Sequence, residues 1–317
     1  MTGPRMIWLD TPEAAQPELV GCKAASLARM QAAGFPSASG FVVGVPAFHA
    51  FLKHAELDAA VGQLGLSGDQ HQVTNQIEVI RGGIEHASWQ PEVSESITLA
   101  FDEMSSSVAV RSSGISEDVE QSAFAGAYES YLNCTTKREV LDAVKDCWKS
   151  AFSERVVAYR LHHGLLGASW LMGVIVQTMV FAHKAGVMFT RDPYSQHNHL
   201  LIEAVSGGCD KIVAGEPAEL SVSVDRESRL LARIEQVNSP STTRFGGGAT
   251  GMLEAGRTMR VPRLLRRHEI NALTEAGLRL EEIFGGPQDV EWAIGDKGLV
   301  ILQARPLTAS HGHRSTA

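Results

Sequence analysis

The chain has 317 residues, 44% hydrophobic and 20% charged, with a formal net charge of −8. This length allows a large core and two lobes. The acidic balance argues against a general nucleic-acid or anionic-membrane binder, both of which need a basic face, but leaves room for a local basic pocket holding a small phosphate ligand.

Four cysteines without CxxC spacing make zinc and disulfide frameworks unexpected and fit a reducing cytosol. The first ten residues carry no long apolar run of the signal-peptide kind. The most apolar stretch, Trp170 to Phe181, contains Gly173, Gln177 and Thr178 and is too short and too polar to span a membrane.

In chain order, Trp8-Leu9-Asp10 predicts a first short strand. Val20 to Met30 reads as a glycine turn entering a helix, with Lys23 in its first turn. A cation there opposes the helix dipole. It makes sense if Lys23 points at an anion held near the N–H groups of the helix start; the other reading is a solvated lysine on a frayed turn. Gly40-Phe41-Val42-Val43 predicts a buried strand, and Pro46 opens a helix running to His54. Residues 55–105 read as amphipathic helical scaffold, with Ile77, Val79, Ile80 and Ile84 at roughly helical spacing.

Ser107 to Gly114 predicts a β-branched strand ending in Arg111, two serines and a glycine. Arginine at a strand end beside small polar residues suits a phosphate clamp; alternatively Arg111 pairs with Glu117 or Asp118 on a surface loop. Ala123-Phe124-Ala125-Gly126 is a small-residue loop that would let backbone approach phosphates closely. Neither GxxxxGK[ST] nor GxGxxG occurs. Lys137 to Tyr159 predicts a long helix with Val140, Val144, Trp148, Phe152 and Val156 on its core stripe. Gly173 to Val180 predicts a buried strand in which Gln177 is a lone amide needing a partner. Adenine offers matching donors and acceptors, and so does nearby backbone.

Beyond residue 180 the pattern is β-rich, with a strand and turn expected over Ala185–Pro193 and strands at Leu200–Val205, which contains Glu203, and Leu220–Arg226, in an antiparallel arrangement. His197, His199, His311 and His313 have no fixed spacing, so no metal is expected on them. Phe245 to Gly251 is a glycine-rich loop without a specific assignment. An amphipathic helix from His268 to Phe284 leads into a predicted hairpin: Asp289 to Ile294, a turn at Gly295-Asp296-Lys297-Gly298, then Leu299 to Pro306. Alternation puts Asp289 with Glu291 on one face and Gln303 with Arg305 on one face. If those faces coincide, the carboxylates suit Mg²⁺ and the guanidinium a phosphate. The same spacing also fits a solvated face with cross-strand salt bridges.

Five segments together resemble the ATP-binding region of the pyruvate phosphate dikinase, phosphoenolpyruvate synthase and rifampin phosphotransferase family: Gly21 to Leu27, Val108 to Ser113, Ser122 to Asn133, Ala185 to Pro193 and Gly286 to Pro306. The resemblance implies an α+β, ATP-grasp-like fold with two lobes, here residues 1–179 and a β-rich 180–308, followed by a tail at 309–317. It implies ATP and Mg²⁺ as cofactors. Lys23 and Arg111 would contact phosphates, Gly126 and Ser130 the nucleotide, and Gln177 the adenine. Asp289 and Glu291 would hold Mg²⁺, with Gln303 and Arg305 at the triphosphate or metal site. The catalytic set is then Arg111, Lys23 and Arg305.

Two positions depart from the family pattern: Cys22, where relatives usually carry glycine, and Ser130, where many carry threonine. Multidomain relatives continue past the Ala-Arg-Pro segment into a swivelling domain whose histidine accepts a phosphoryl group. The sequence here runs eleven residues past Pro306, and Ser310-His311 reads as tail. The expected activity is ATP-dependent phosphotransfer to a separate phosphohistidine-domain protein. The alternatives are a free-standing kinase or ligase acting on a small-molecule acceptor, and a nucleotide-binding regulatory module without turnover.

Overall fold

The computed structural model describes residues 6–64, 70–104, 106–115, 129–167, 169–208, 217–236 and 264–307. Gly126, Glu117, Asp118, the Phe245–Gly251 loop, His311 and His313 lie outside the described residues. The chain divides into two compact units, Met1–Met179 and Val180–Ala317.

In the first unit, short stretches form β1 (Met6–Trp8), β2 (Gly40–Val43), β3 (Val108–Gly114), β4 (Ser130–Cys134) and β5 (Met172–Thr178), of which β2, β3 and β5 are rich in β-branched residues. They build one antiparallel sheet in the order β1-β2-β5-β3-β4. Opposed residues share a face, and successive residues along a strand switch faces. One face therefore carries Phe41, Val43, Val108, Val110, Val174 and Val176, all in the hydrophobic core. The core is filled by Trp148, which stacks on Phe48 with ring centroids 4.8 Å apart and leans on Phe51 at 5.0 Å. The opposite face carries Arg111, Ser113, Ile175 and Gln177.

Helices α1 (Pro17–Val20) and α2 (Cys22–Ala32) dock on that second face: a Cβ added at Gly173 would meet the Val20 carbonyl at 2.4 Å, and the Ala24 N–H donates to Ser113 Oγ at 3.0 Å. The scaffold region folds into α3 (Val45–His54), α4 (Asp58–Gln63), α5 (Gln70–His86) and α6 (Pro91–Met104). In α5 the buried stripe is Val73, Ile77, Ile80 and Ile84, whereas Val79 is 64% exposed and lies off the stripe.

The expected single helix over Lys137–Tyr159 is two, α7 (Lys137–Ser150) and α8 (Glu154–His162). Ser153 interrupts it by accepting a hydrogen bond from the Val156 N–H, a local cap that competes with helix continuation. The stripe persists across the break: Val140, Val144, Trp148, Phe152 and Val156 are all buried. Thr136 and Glu139 close a capping box at the start of α7.

Among the described residues the second unit forms a six-stranded antiparallel sheet in the order β11-β10-β6-β7-β8-β9. Its strands are β6 (Lys184–Phe189), β7 (His199–Ser206), β8 (Leu220–Asp225), β9 (Leu231–Gln236), β10 (Gln288–Gly295) and β11 (Gly298–Pro306). β9 was not expected. It is an edge strand, and its Arg233 and Glu235 are the kind of charge that protects an edge while blurring the hydrophobic alternation. Helix α9 (Arg267–Phe284) covers one face, its Gly277 set against Met188 and Leu200.

At the start of α9 the Glu269 carboxylate accepts from the Arg266 N–H at 2.6 Å and from Lys184 Nζ at 2.7 and 2.8 Å. Burial pushes the Glu269 carboxyl up, but the Arg266 amide and the Lys184 ammonium outweigh it and hold the group below the usual carboxylate range. A lowered carboxyl contributes stability that is complete above its unfolded pKa and is lost as pH falls through the folded value. Glu269→Gln is expected to cost about 1 kcal/mol at neutral pH, with the difference from wild type shrinking below the glutamate range. Urea titrations at the two pH values check this, and a pH-independent difference would contradict it.

Candidate nucleotide and metal site

Each unit carries part of the predicted constellation. In the first unit, Gly21 precedes α2 with φ of 80°, and a Cβ there would lie 1.9 Å from the Ser113 carbonyl oxygen. Only glycine allows this approach, which brings the start of α2 against the end of β3. Lys23 follows in the first turn of α2, a turn that contains no acidic residue of its own. Its ammonium is within electrostatic reach of Cys147, whose thiol is pushed up by burial and by Glu129 and is opposed by Lys23.

Arg111 lies on the α2-side face of β3, directly between Ser130 on β4 and Ile175 on β5. Two residues along, Ala109 pairs with Gln177. Thus Arg111, Ser130 and Gln177 share the face on which α2 begins. Gln177 is 3% exposed, and its Oε1 has no hydrogen-bond partner among the described residues. A buried unpaired amide oxygen costs about 1–3 kcal/mol, so this acceptor is suited to an incoming N–H such as that of an adenine amino group.

In the second unit the hairpin register decides the geometry. Asp289 faces Arg305, and Glu291 faces Gln303. The two-residue turn at Asp296-Lys297, flanked by Gly295 and Gly298, sets this pairing. The register then shifts between Glu291 and Trp292, where a bulge at Leu302 lets Ile301 and Gln303 both be buried. All four polar side chains share the face opposite α9. Arg305 donates from Nε and Nη2 to Asp289 Oδ2 at 3.0 and 2.6 Å, so the predicted cross-strand salt bridge exists within the predicted site. Asp289 and Gln303 are buried and Glu291 is half-buried. This donor set fits Mg²⁺, a hard cation that takes one or two carboxylates and completes its octahedron with water and phosphate oxygens. Among the described residues, no three His, Cys, Asp or Glu side chains close into a metal cluster.

The same face continues toward the edge. Val187, Glu203, Ser221 and Glu235 extend the row begun by Gln303 and Glu291. At its far end a pocket of about 70 Å³ is lined by Asp192, Tyr194, Ser221, Ser223, Arg233 and Glu235. Sequence reasoning saw Glu203 within a strand but had no means of aligning it with Glu291, because the alignment runs through two pairings with β6. Among the described residues no helix is long and apolar enough to cross a membrane.

The chain is similar to several known proteins. The chain is 33% identical over 316 residues to a probable phosphoenolpyruvate synthase of Methanocaldococcus jannaschii, covering 95% of this chain and 26% of that protein. It is 32% identical over 301 residues to a probable phosphoenolpyruvate synthase of Methanothermobacter thermautotrophicus, covering 92% and 44%. To a rifampicin phosphotransferase of a Streptomyces species it is 32% identical over 317 residues, covering 97% and 36%. The chain thus spans less than half the length of these relatives.

Solved structures with some likeness include an ATP-grasp ligase, PsnB, complexed with precursor peptide PsnA2 and AMPPNP (TM-score 0.32, 9% identity, 96% of this chain and 55% of that one). Another is D-alanyl-alanine synthetase A of Vibrio cholerae (TM-score 0.31, 11% identity, 68% and 46%). The family model described as pyruvate phosphate dikinase, AMP/ATP-binding domain, matches residues 17–317, and the chain belongs to that family.

Proposed function

We propose that this chain binds Mg-ATP and activates it for phosphoryl transfer as the nucleotide-binding part of a phosphoenolpyruvate synthase-like or rifampicin phosphotransferase-like system. The observation that carries the reading is the hairpin register, which aligns Asp289 with Arg305 and Glu291 with Gln303 on one face of a chain that belongs to an ATP-binding family. In this reading residues 1–179 and 180–308 act as two ATP-grasp-like lobes. Lys23 and Arg111 contact the phosphates, Ser130 and Gly126 the nucleotide, and Gln177 the adenine, while Asp289, Glu291 and Gln303 hold Mg²⁺.

The chemistry asked of these residues is positioning and charge stabilisation. Phosphoryl transfer needs little covalent help from the protein. Cations fixed in advance stabilise charge that develops on the phosphoryl oxygens, at no reorganisation cost during reaction. Lys23 and Arg111 supply those cations, and Arg305, oriented by Asp289, supplies a third. When bound, magnesium neutralises phosphate charge. The acceptor is a histidine on a swivelling domain: its ring nitrogen attacks the β-phosphorus and displaces AMP, and water then cleaves the β–γ linkage, which leaves phosphohistidine and releases phosphate.

The test is incubation with Mg-ATP and a histidine-domain protein, with nucleotides resolved by chromatography. AMP with phosphorylated histidine supports the reading. ADP with a phosphorylated small acceptor would replace it by a free-standing kinase, and binding without turnover would make the chain a regulatory module. A second expectation concerns Arg111: Arg111→Ala should weaken ATP about 10-fold or more, as expected for a lost charge-assisted contact, and weaken AMP far less. Calorimetric titration of both nucleotides checks it; equal losses would remove Arg111 from the outer phosphates.

A further inference from the structure

We propose that Glu203 is a further magnesium-positioning residue, acting on the cation through metal-bound water. This rests on the Mg-ATP reading above and deepens it. Glu203 occupies the centre of β7, pairs with Val187 on β6, and Val187 in turn pairs with Glu291 on β10. The three residues therefore lie in one row on the face opposite α9, and Gln303 ends the row on β11. Glu203, Val187 and Glu291 are all half-buried, so the row is open to solvent there.

The spacing suits an outer-sphere contact rather than direct ligation. Two strand spacings put the Glu203 and Glu291 backbones about 9.6 Å apart. A carboxylate oxygen about 2.1 Å from Mg²⁺, a water at about 2.1 Å on the other side, and a hydrogen bond of about 2.7 Å from that water to a second carboxylate together span at most about 7 Å. Two glutamate side chains rising from the same face and leaning over Val187 can hold that separation. Direct ligation by both would require the two carboxylates to approach within about 4 Å of each other. Mg²⁺ gives up its waters reluctantly, so a carboxylate that orients one of them fixes the octahedron. This makes Glu203 a positioning residue, acting through water to fix the orientation of a bound cation.

The experiment reads metal affinity rather than turnover. Mn²⁺ binding to the full chain, with a non-hydrolysable ATP analogue present, is followed by electron paramagnetic resonance for wild type, Glu203→Gln, Glu203→Asp, Glu291→Gln and Ser221→Ala. Glu203→Gln is expected to weaken Mn²⁺ by roughly 10-fold, the lower end of the range for outer-shell partners, with Glu203→Asp intermediate and Ser221→Ala unchanged. Thermal melting without metal should be the same for Glu203→Gln and wild type. Should Glu203→Gln melt early, Glu203→Asp, which keeps the charge, decides by the same affinity measurement. Wild-type affinity in both Glu203 variants alongside loss in Glu291→Gln would overturn this inference alone. Wild-type affinity in Glu291→Gln as well would overturn the magnesium assignment on which it rests.

Discussion

Glu291→Gln is expected to lower Mg-ATP turnover by roughly 10²–10³-fold, the range for losing one charge-stabilising group at a phosphoryl or acyl centre, while leaving the unfolding transition in place. Glu291 is half-buried and faces Gln303 across the β10–β11 pair. Its neighbours along the strand, Val290 and Trp292, point to the other face and are fully buried. The core contribution of β10 therefore comes from residues the substitution does not touch, and glutamine preserves volume. What changes is the charge presented to a cation. The check is steady-state turnover alongside urea unfolding without nucleotide. Turnover within a few-fold of wild type would remove Glu291 from the metal site, and a lowered unfolding midpoint would show that it serves the sheet instead.

Gly21→Ala is expected to destabilise the first unit by about 2–6 kcal/mol, from left-handed backbone strain of about 1–3 kcal/mol and an overpacking penalty of similar size. The added methyl would meet the Ser113 carbonyl at 1.9 Å and Ser113 Oγ at 2.5 Å, the oxygen that accepts from Ala24 N–H. Relief requires the start of α2 to move off β3, which also displaces Lys23 relative to Arg111. Gly164 provides the comparison. It also has positive φ, 69°, yet a Cβ there meets nothing within 4 Å. Gly164→Ala should therefore cost only the strain, about 1 kcal/mol. Equilibrium unfolding of both variants measures the contrast; equal losses would mean that close packing at Gly21 contributes nothing. ATP affinity should fall with Gly21→Ala and not with Gly164→Ala.

The elements that were legible in advance share one property: their signals are local. Gly40–Val43, the strand containing Gln177, the helix before Phe284 and the terminal hairpin all announce themselves within about ten residues, by alternation, helical spacing or a glycine-flanked turn. The helix break at Ser153 is local as well, but a serine is an ambiguous signal: it caps only if its side chain turns back to Val156. Val79 shows the limit of counting apolar residues. It fits the composition of α5 and not its buried stripe. The edge strand β9 was hidden because edge positions favour charge over alternation.

The candidate site divides along the same line. Asp289, Glu291, Gln303 and Arg305 could be grouped from the sequence because a two-residue turn ties the two strands into one register, and the side-chain period of two does the rest. The family resemblance could name Lys23, Arg111, Ser130 and Gln177, but alternation could not place them together. Ser113 Oγ reaches Ala24 across 89 residues of chain, and β5 enters the sheet between β2 and β3 although both precede it. Glu203 depends on the pairing of β7 with β6 and of β6 with β10. Which face a residue joins flips with a one-residue slip in any such pairing, and the slip is prevented by burial of side chains distant along the chain. Local periodicity was therefore enough for most of the elements and for one hairpin. The order of strands and the row running from Gln303 to Glu203 belong to the folded sheet.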